Sequence, residues 1–350
     1  MVTFDTLKLA LPLEHCSLVS RANFVPTEKP NILKLADILR PVGYSFVQID
    51  TIKNDLVIEC SAKLLKDDYY QSLSINNFTR IVEGLNHVVI VPTDVLYNMA
   101  MVYKCDITDN IDISECQFTK RDTINTIALL KSNINYKTDT WDKKNNNGVQ
   151  FLLKSDKRDR LIFYDKKLDL QKRSNSNKKF IASLKNAEQV LTQFSNIIRV
   201  ESNITDWESI RKCLNVPNIC LSSVLSSCEP VNRNKLLKIC NHKPNKIIDL
   251  TDKIHNIYGE KFKYGDIVFY IHAFEYNNYD VELVRTYITE KQQWSKSDWY
   301  KRWTVKGLKD LFFDAKILKQ GIVYGNSYEI FNNMVNKLSE KYIHNYSEVI

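Results

Sequence analysis

Arg160-Leu161-Ile162-Phe163-Tyr164-Asp165-Lys166-Lys167-Leu168-Asp169 reads as a short apolar strand followed by charge. Side chains two apart on a strand share a face, so Tyr164 and Lys166 point together while Phe163 and Asp165 point away. Asp169 stands three places beyond the lysine. A phenol beside an ammonium, with acids near enough to hold a metal, suits covalent attack on a phosphodiester. The competing reading is a half-buried strand with a core tyrosine. Gly148 to Lys154 pairs with the stretch as a hairpin across Ser155 to Asp159, and Asn145-Asn146-Asn147-Gly148 is a turn.

Charge around this hairpin is uneven. The chain has 350 residues and a net charge of +8, with twelve Lys or Arg against four Asp between Lys143 and Lys179. A concentrated basic segment favours a polyanion, because each neutralised phosphate releases condensed counterions. A solvated surface is the alternative. Hydrophobic residues at 44%, charged residues at 26%, and only 8 Gly and 8 Pro exclude a low-complexity chain and leave room for two or three domains. The eight cysteines contain no CxxC pair. Cys213, Cys220, Cys228, Cys240 and His242 match no common zinc spacing. Met1 to Leu13 reads as neither leader nor anchor, and no stretch approaches a membrane span. The expectation is a cytoplasmic protein with reduced thiols and no membrane partner.

Working outward, Thr3 to Leu9 alternates like a first strand, Asn31 to Leu39 reads as a short helix, and Tyr44 to Asp50 pairs with Asp55 to Ser61. Ser74 to Leu85 has amphipathic helical spacing, and His87 to Val91 is a buried strand. In Met99 to Thr108, Tyr103, Cys105 and Ile107 share one face and Lys104, Asp106 and Thr108 the other. Thr119 caps a helix over Arg121 to Leu130. A long helix follows from Lys178 to Phe194, then a strand from Ile197 to Ile204 with Arg199, Glu201 and Asn203 on one face. Strands alternating with two long helices predict an α+β domain on a mostly antiparallel sheet flanked by helices, residues 1–205. A mainly helical C-terminal domain is expected to follow, residues 206–350, with an added strand at Phe262 to Tyr270. Its role is DNA binding or accessory.

Asp106, Asp169 and Glu201, with Glu59 as a fourth, are acids on or near strand faces close to the basic hairpin. Carboxylates gathered in this way need a compensating cation, and Mg²⁺ or Mn²⁺ with phosphate oxygens fits. The other reading pairs each acid with a neighbouring base, Asp106 with Lys104 and Glu201 with Arg199. There is no GxxxxGK[ST] and no GxGxxG, so no nucleotide cofactor is expected, and no HExxH or GxSxG. The six histidines are scattered. Trp294-Ser295-Lys296-Ser297-Asp298-Trp299-Tyr300-Lys301-Arg302-Trp303 interleaves aromatics with cations and can stack bases, or bury its tryptophans on one helical face.

Four segments, in order, resemble the motifs of the replication initiators of the gene II/gene X type of filamentous phages. They are Val57 to Leu65, Tyr103 to Thr108, Phe163 to Asp169 and Ile198 to Glu201. More broadly the series is similar to that of phage and plasmid rolling-circle initiators, over residues 3 to 205. The resemblance implies an endonuclease and strand transferase that nicks one strand of a double-stranded origin through a covalent 5′-phosphotyrosine. Replication then runs from the free 3′ hydroxyl, and the displaced single strand is rejoined. Tyr164 takes the nucleophile's place and Lys166 its partner's. Asp106, Glu201 and Asp169 take the metal-side acids' places, with Glu59 beside them. The cations expected on DNA are Lys63, Lys104, Lys154, Arg158, Arg160, Lys167 and Arg199. A host helicase and polymerase are the implied partners.

The chain departs from the pattern in three places. Lys104 stands where Arg is usual and lacks its bidentate fork. Asp169 is one methylene shorter than the family's Glu. No His-hydrophobic-His pair exists, so a metal would need acid ligands. A relaxase-like mobilisation nickase, or a non-enzymatic DNA-binding protein on a degenerate nickase scaffold, are the alternatives. A neighbouring ammonium is expected to favour the Tyr164 phenolate.

Overall fold

The computed structural model describes residues 1–130, 132–133, 135–141, 147–156, 159–240, 250–323 and 327–343. Arg158 and most of the Asn145–Asn147 turn lie outside the described residues. Strand β1 (Phe4–Pro12) is followed by β2 (Ser17–Leu18), β3 (Phe24–Pro26), β4 (Ile32–Leu35), β5 (Tyr44–Asp50) and β6 (Asp55–Ser61). Then come β7 (Val89–Ile90), β8 (Met101–Asp112), β9 (Tyr136–Trp141), β10 (Gly148–Leu153), β11 (Arg160–Asp165) and β12 (Ile197–Ile204). Ten of them form one sheet in the order β3-β4-β5-β6-β1-β8-β12-β11-β10-β9, and β2 pairs with β7. All the pairings are antiparallel. The expected class, α+β on an antiparallel sheet, is what the structure has.

Alternation gives the sheet two unlike faces. Cys105, Ile107 and Ile111 of β8 and Ile198, Val200 and Ile204 of β12 are buried on one face. Asp106, Thr108 and Asn110 of β8 stand opposite Asn203, Glu201 and Arg199 of β12 on the other. Each strand is thus half core and half polar, and the register between β8 and β12 fixes which polar groups meet.

Helices α1 (Arg80–Glu83) and α2 (Thr93–Met99) precede β8, and α3 (Lys120–Leu129) belongs to a second compact unit. After β11 come α4 (Lys166–Leu170), α5 (Asn175–Ala182) and α6 (Ala187–Gln193); after β12 come α7 (Trp207–Leu214), α8 (Leu221–Leu225) and α9 (Val231–Ile239). The last three pack on the sheet through Ile210, Leu214, Leu221, Val224, Leu225 and Val231, which join the core of the strands. Asn232 of α9 donates to the Ile107 and Val200 carbonyls and to Asp109, stitching helix to sheet.

The first unit is therefore Met1–Cys116 with Ser132–Asn241 and Met334–Ile350, and the second is Gln117–Lys131 with His242–Asn333. This differs from a single cut at 205/206, because α7 to α9 supply apolar side chains to the sheet. The second unit holds α3, α10 (Leu250–Tyr258), α11 (Tyr264–Tyr276), α12 (Val281–Gln292), α13 (Lys296–Tyr300) and α14 (Leu308–Val323). It is built on its own core of Ile254, Ile267, Phe274, Trp299, Leu311 and Phe312. Helix α15 (Ser327–Ile343) ends the described chain. Among the described residues no helix is long and apolar enough to cross a membrane.

Four local expectations are corrected. Residues 31–39 form β4 and a single 3-10 turn rather than a helix, since Ile32 to Lys34 find partners on β5. Of Ser74 to Leu85, only Arg80–Glu83 is α-helical. The Asn77 side chain bonds the Ser72 carbonyl and the Ser74 N–H, offering the backbone a turn instead. The helix expected over 178–194 is two, because Asn186 caps α6. Of Phe262 to Tyr270, where a strand was expected, Tyr264 onward belongs to α11 and Lys263 is its N-cap. By contrast, the hairpin, β5, β6 and β12 stand where expected.

Candidate active site

The polar face of β12 and β11 is where the expected residues meet. Tyr164 lies opposite Arg199 in the register. The strand ends at Asp165, whose carboxylate accepts the Leu168 N–H at 3.1 Å and caps α4. Lys166 is thus the first helical residue, not a continuation of the strand. Its ammonium nevertheless turns back and donates to the Tyr164 hydroxyl at 2.8 Å. The hydroxyl in turn donates to Glu201 Oε1 at 2.6 Å. One helical turn on, Asp169 comes within 3.8 Å of Lys166.

Asp5 completes the cluster. The pairing of β1 with β8 shifts register between Phe4 and Thr6, which leaves Asp5 in an irregularity. Such a break re-aims a side chain. Its carboxylate accepts from Arg199 Nη1 at 2.6 Å and from the Tyr69 hydroxyl at 3.1 Å, and lies 3.8 Å from Lys166. Arg199 also donates to Asn110 Oδ1 at 2.9 Å and to Tyr69 at 3.1 Å. Two carboxylates here compete for one guanidinium. Asp5 wins it, because Glu201 stays 3.9 Å from Arg199 and 3.9 Å from Lys166. Glu201 therefore takes its hydrogen bond from the phenol.

Proton affinities follow from this placement. Glu201 is pushed up to about 7, by burial first and then by the neighbouring Asp5. Asp5 is held below its ordinary value: burial opposes this, but Lys166 and Arg199 outweigh it. Asp106 is raised, chiefly by burial. Burial works against the Lys166 ammonium, yet Asp5, Tyr69 and Glu201 more than offset it and keep it charged. The Tyr164 phenol is raised well above 10 by burial and by Glu201. The expectation that the neighbouring Lys166 ammonium favours the phenolate does not describe the resting protein. Desolvation and the facing carboxylate hold the proton on oxygen in the resting protein.

The remaining predicted residues are dispersed. Lys104 crosses β1 to pair with Glu59 at 2.9 Å. Asp106 accepts from Asn203 at 2.5 Å, and Asp169 pairs with Lys172 at 2.6 Å. Each of the four candidate metal acids thus already holds a donor from the protein. Among the described residues no three His, Cys, Asp or Glu side chains are gathered where they can hold a metal ion. The four do not fit one shared metal site as placed. Arg199 is 0% exposed and is a buried structural cation, not a surface contact for DNA. Lys63 donates to Ser176 and Asn177 at 3.0 Å each, Lys167 to Ser195 at 3.0 Å, and Lys154 is exposed. Arg160 donates to Asn203, and its guanidinium lies 5.3 Å from the Trp141 ring centre.

Asp5, Tyr69 and Asn110 are site residues that sequence reasoning missed. Asp5 did carry a signal, an acid directly after the buried Phe4 at the start of an alternating strand. Asn110 continues the alternation of Lys104, Asp106 and Thr108. Tyr69 carried none, since it sits in a 3-10 segment, Ala62–Gln71, bent at Lys66 (φ 53°, ψ −117°).

Gly148 backs the site. It lies opposite both Tyr164 and Trp141, and a β-carbon there meets the Phe163 carbonyl and comes within 2.6 Å of Tyr164 Cβ. Gly148→Ala is expected to cost about 1–3 kcal/mol through overpacking, read as a lowered urea midpoint.

No family model, curated protein or solved structure matches the chain.

Proposed function

We propose that the protein is a replication initiator that cuts one DNA strand through Tyr164 and rejoins it. The observation that carries this reading is the Tyr164 hydroxyl held between the Glu201 carboxylate at 2.6 Å and the Lys166 ammonium at 2.8 Å. Nucleophile, base and countercation in direct contact are the signature of an activated hydroxyl. In the forward step Glu201 takes the phenol proton, the phenolate oxygen bonds to phosphorus as the P–O3′ bond breaks, and the leaving 3′ oxygen takes that proton from Glu201. Lys166 stabilises the charge on the phenolate. The products are a 5′-phosphotyrosyl protein and a free 3′ hydroxyl. Attack by a 3′ hydroxyl on the same phosphorus reverses the step and conserves the bond energy, so no nucleotide is consumed. Trp141 and Arg160, packed together beside Tyr164, offer a ring and a cation to the flanking bases and phosphates.

The test is denaturing electrophoresis of the protein with labelled origin oligonucleotides, looking for a covalent adduct. Adduct formation is expected to rise with pH through about 7 and then level off, because protonated Glu201 cannot accept the phenol proton. In Glu201→Gln that limb should vanish together with most of the rate. A rate independent of pH across that range would remove Glu201 from the base's role.

A second reading has its own observation. Tyr164 is only 2% exposed, so a phosphodiester reaches it only if neighbouring side chains move. A non-enzymatic DNA-binding protein on a degenerate nickase scaffold needs no such movement. It predicts salt-sensitive binding with no adduct, and the same gel decides between the two.

A further inference from the structure

The aromatic-basic stretch at 294–303 has no part in the Tyr164 cluster, and in the second unit its two kinds of residue separate. Trp299 is buried and stacks on Trp303 at 4.8 Å, and Trp303 packs on Phe312 at 5.5 Å. Trp294 lies under the Arg302 guanidinium, 5.2 Å from it. The tryptophans are therefore committed to packing. The charges are left outside. Between 290 and 310 six Lys or Arg stand against the three acids Glu290, Asp298 and Asp310. Of these, Asp298 is engaged by the Ser295 N–H at 3.1 Å and hydroxyl at 2.6 Å in a capping box.

The backbone arranges these cations. After α13 the chain makes a π-turn over Lys301–Val305, and the Lys306 N–H donates to the Lys301 carbonyl at 3.1 Å. The widened turn keeps Trp303 on the core, and Lys301 and Lys306, at its two ends, are exposed. Such turns recur at functional sites. Gly307 (φ 83°) then reverses the chain, and Lys261 Nζ, from another element, lies 3.7 Å and Asp310 Oδ2 3.8 Å from where its β-carbon would be. Tyr300, 67% exposed, stands one helical turn from Lys296. Among the described residues none of Lys261, Lys296, Lys301, Lys306 or Lys309 forms an ion pair.

We infer that this corner of the second unit is a nucleic-acid contact surface, in which Lys301, Lys306 and Lys261 neutralise backbone phosphates and Tyr300 lies against the strand. Exposed ammonium groups outside a packed aromatic base suit a regularly charged polyanion, and the binding is sequence-independent. The inference does not rest on cleavage at Tyr164.

The experiment is fluorescence anisotropy of the full chain with a short labelled duplex, across a sodium chloride series. Lys301→Gln/Lys306→Gln is expected to weaken binding roughly tenfold and to reduce the slope of log K against log salt by about two, one for each cation removed. Tyr300→Ala should weaken binding with the slope unchanged. Adduct formation on a short single-stranded oligonucleotide, read in parallel, should be the same in the variants as in the wild type. If adduct forms but affinity and slope stay at wild-type values, the surface is overturned and the proposed chemistry stands. A reduced slope without any adduct does the reverse. Binding to phosphatidylserine vesicles lost in the double variant, with duplex binding unaffected, would also overturn it, in favour of an anionic lipid surface.

Discussion

Tyr164→Phe is expected to abolish the covalent DNA adduct while leaving the fold in place. The ring is kept, and with it the packing beside Trp141, whose ring centre lies 6.1 Å away. Only the hydroxyl between Glu201 and Lys166 is lost. Those two groups are 3.9 Å apart and can pair directly once it is gone. The stability cost should stay within about 1–3 kcal/mol, the range for removing a buried hydrogen-bonding partner. A gel with no adduct and a melting curve that remains cooperative is the expected pair of results. Undiminished adduct would move the nucleophile elsewhere, and Tyr69 is the next phenol to test, since its hydroxyl also touches a carboxylate and a cation.

Arg199→Met carries the largest expected effect on stability. The guanidinium is fully buried and joins β12 to Asp5 on β1, Asn110 on β8 and Tyr69. Removing it leaves Asp5 facing Lys166 at 3.8 Å and the Tyr69 hydroxyl. Breaking a buried pair from one side costs about 3–5 kcal/mol, much of it from the charge left behind. The measurement is urea unfolding, with the midpoint lowered and the m-value unchanged.

The pH dependence of stability has two signs here. Asp5 is depressed when folded, so its contribution is present above the unfolded carboxylate value and is lost as pH falls. Glu201 is raised, so its contribution is present below its unfolded value and is lost as pH rises through about 7. In Arg199→Met the acid-side loss should shrink, because Asp5 no longer has that partner. An unchanged acid limb would show that Lys166 alone sets the Asp5 carboxylate.

Much of the sheet was legible locally. The hairpin at 148–165, the pair at 44–61 and the strand at 197–204 are specified by alternation and turn chemistry, which depend on near neighbours. So was the meeting of Tyr164 with Lys166, although a helix start rather than a strand face brings them together. The boundary of the helical part was not legible. Whether α7 to α9 complete a sheet or form a separate body depends on which apolar faces find each other in space.

The sequence by itself determined the class of fold, the concentration of positive charge, and Tyr164, Lys166 and Glu201 as candidates, because residue type and period two are local properties. Tertiary structure alone decided which carboxylate takes the guanidinium. Asp5 enters from β1, nearly two hundred residues from Arg199. By holding that cation it leaves Glu201 to the phenol, and no spacing along the chain encodes that competition.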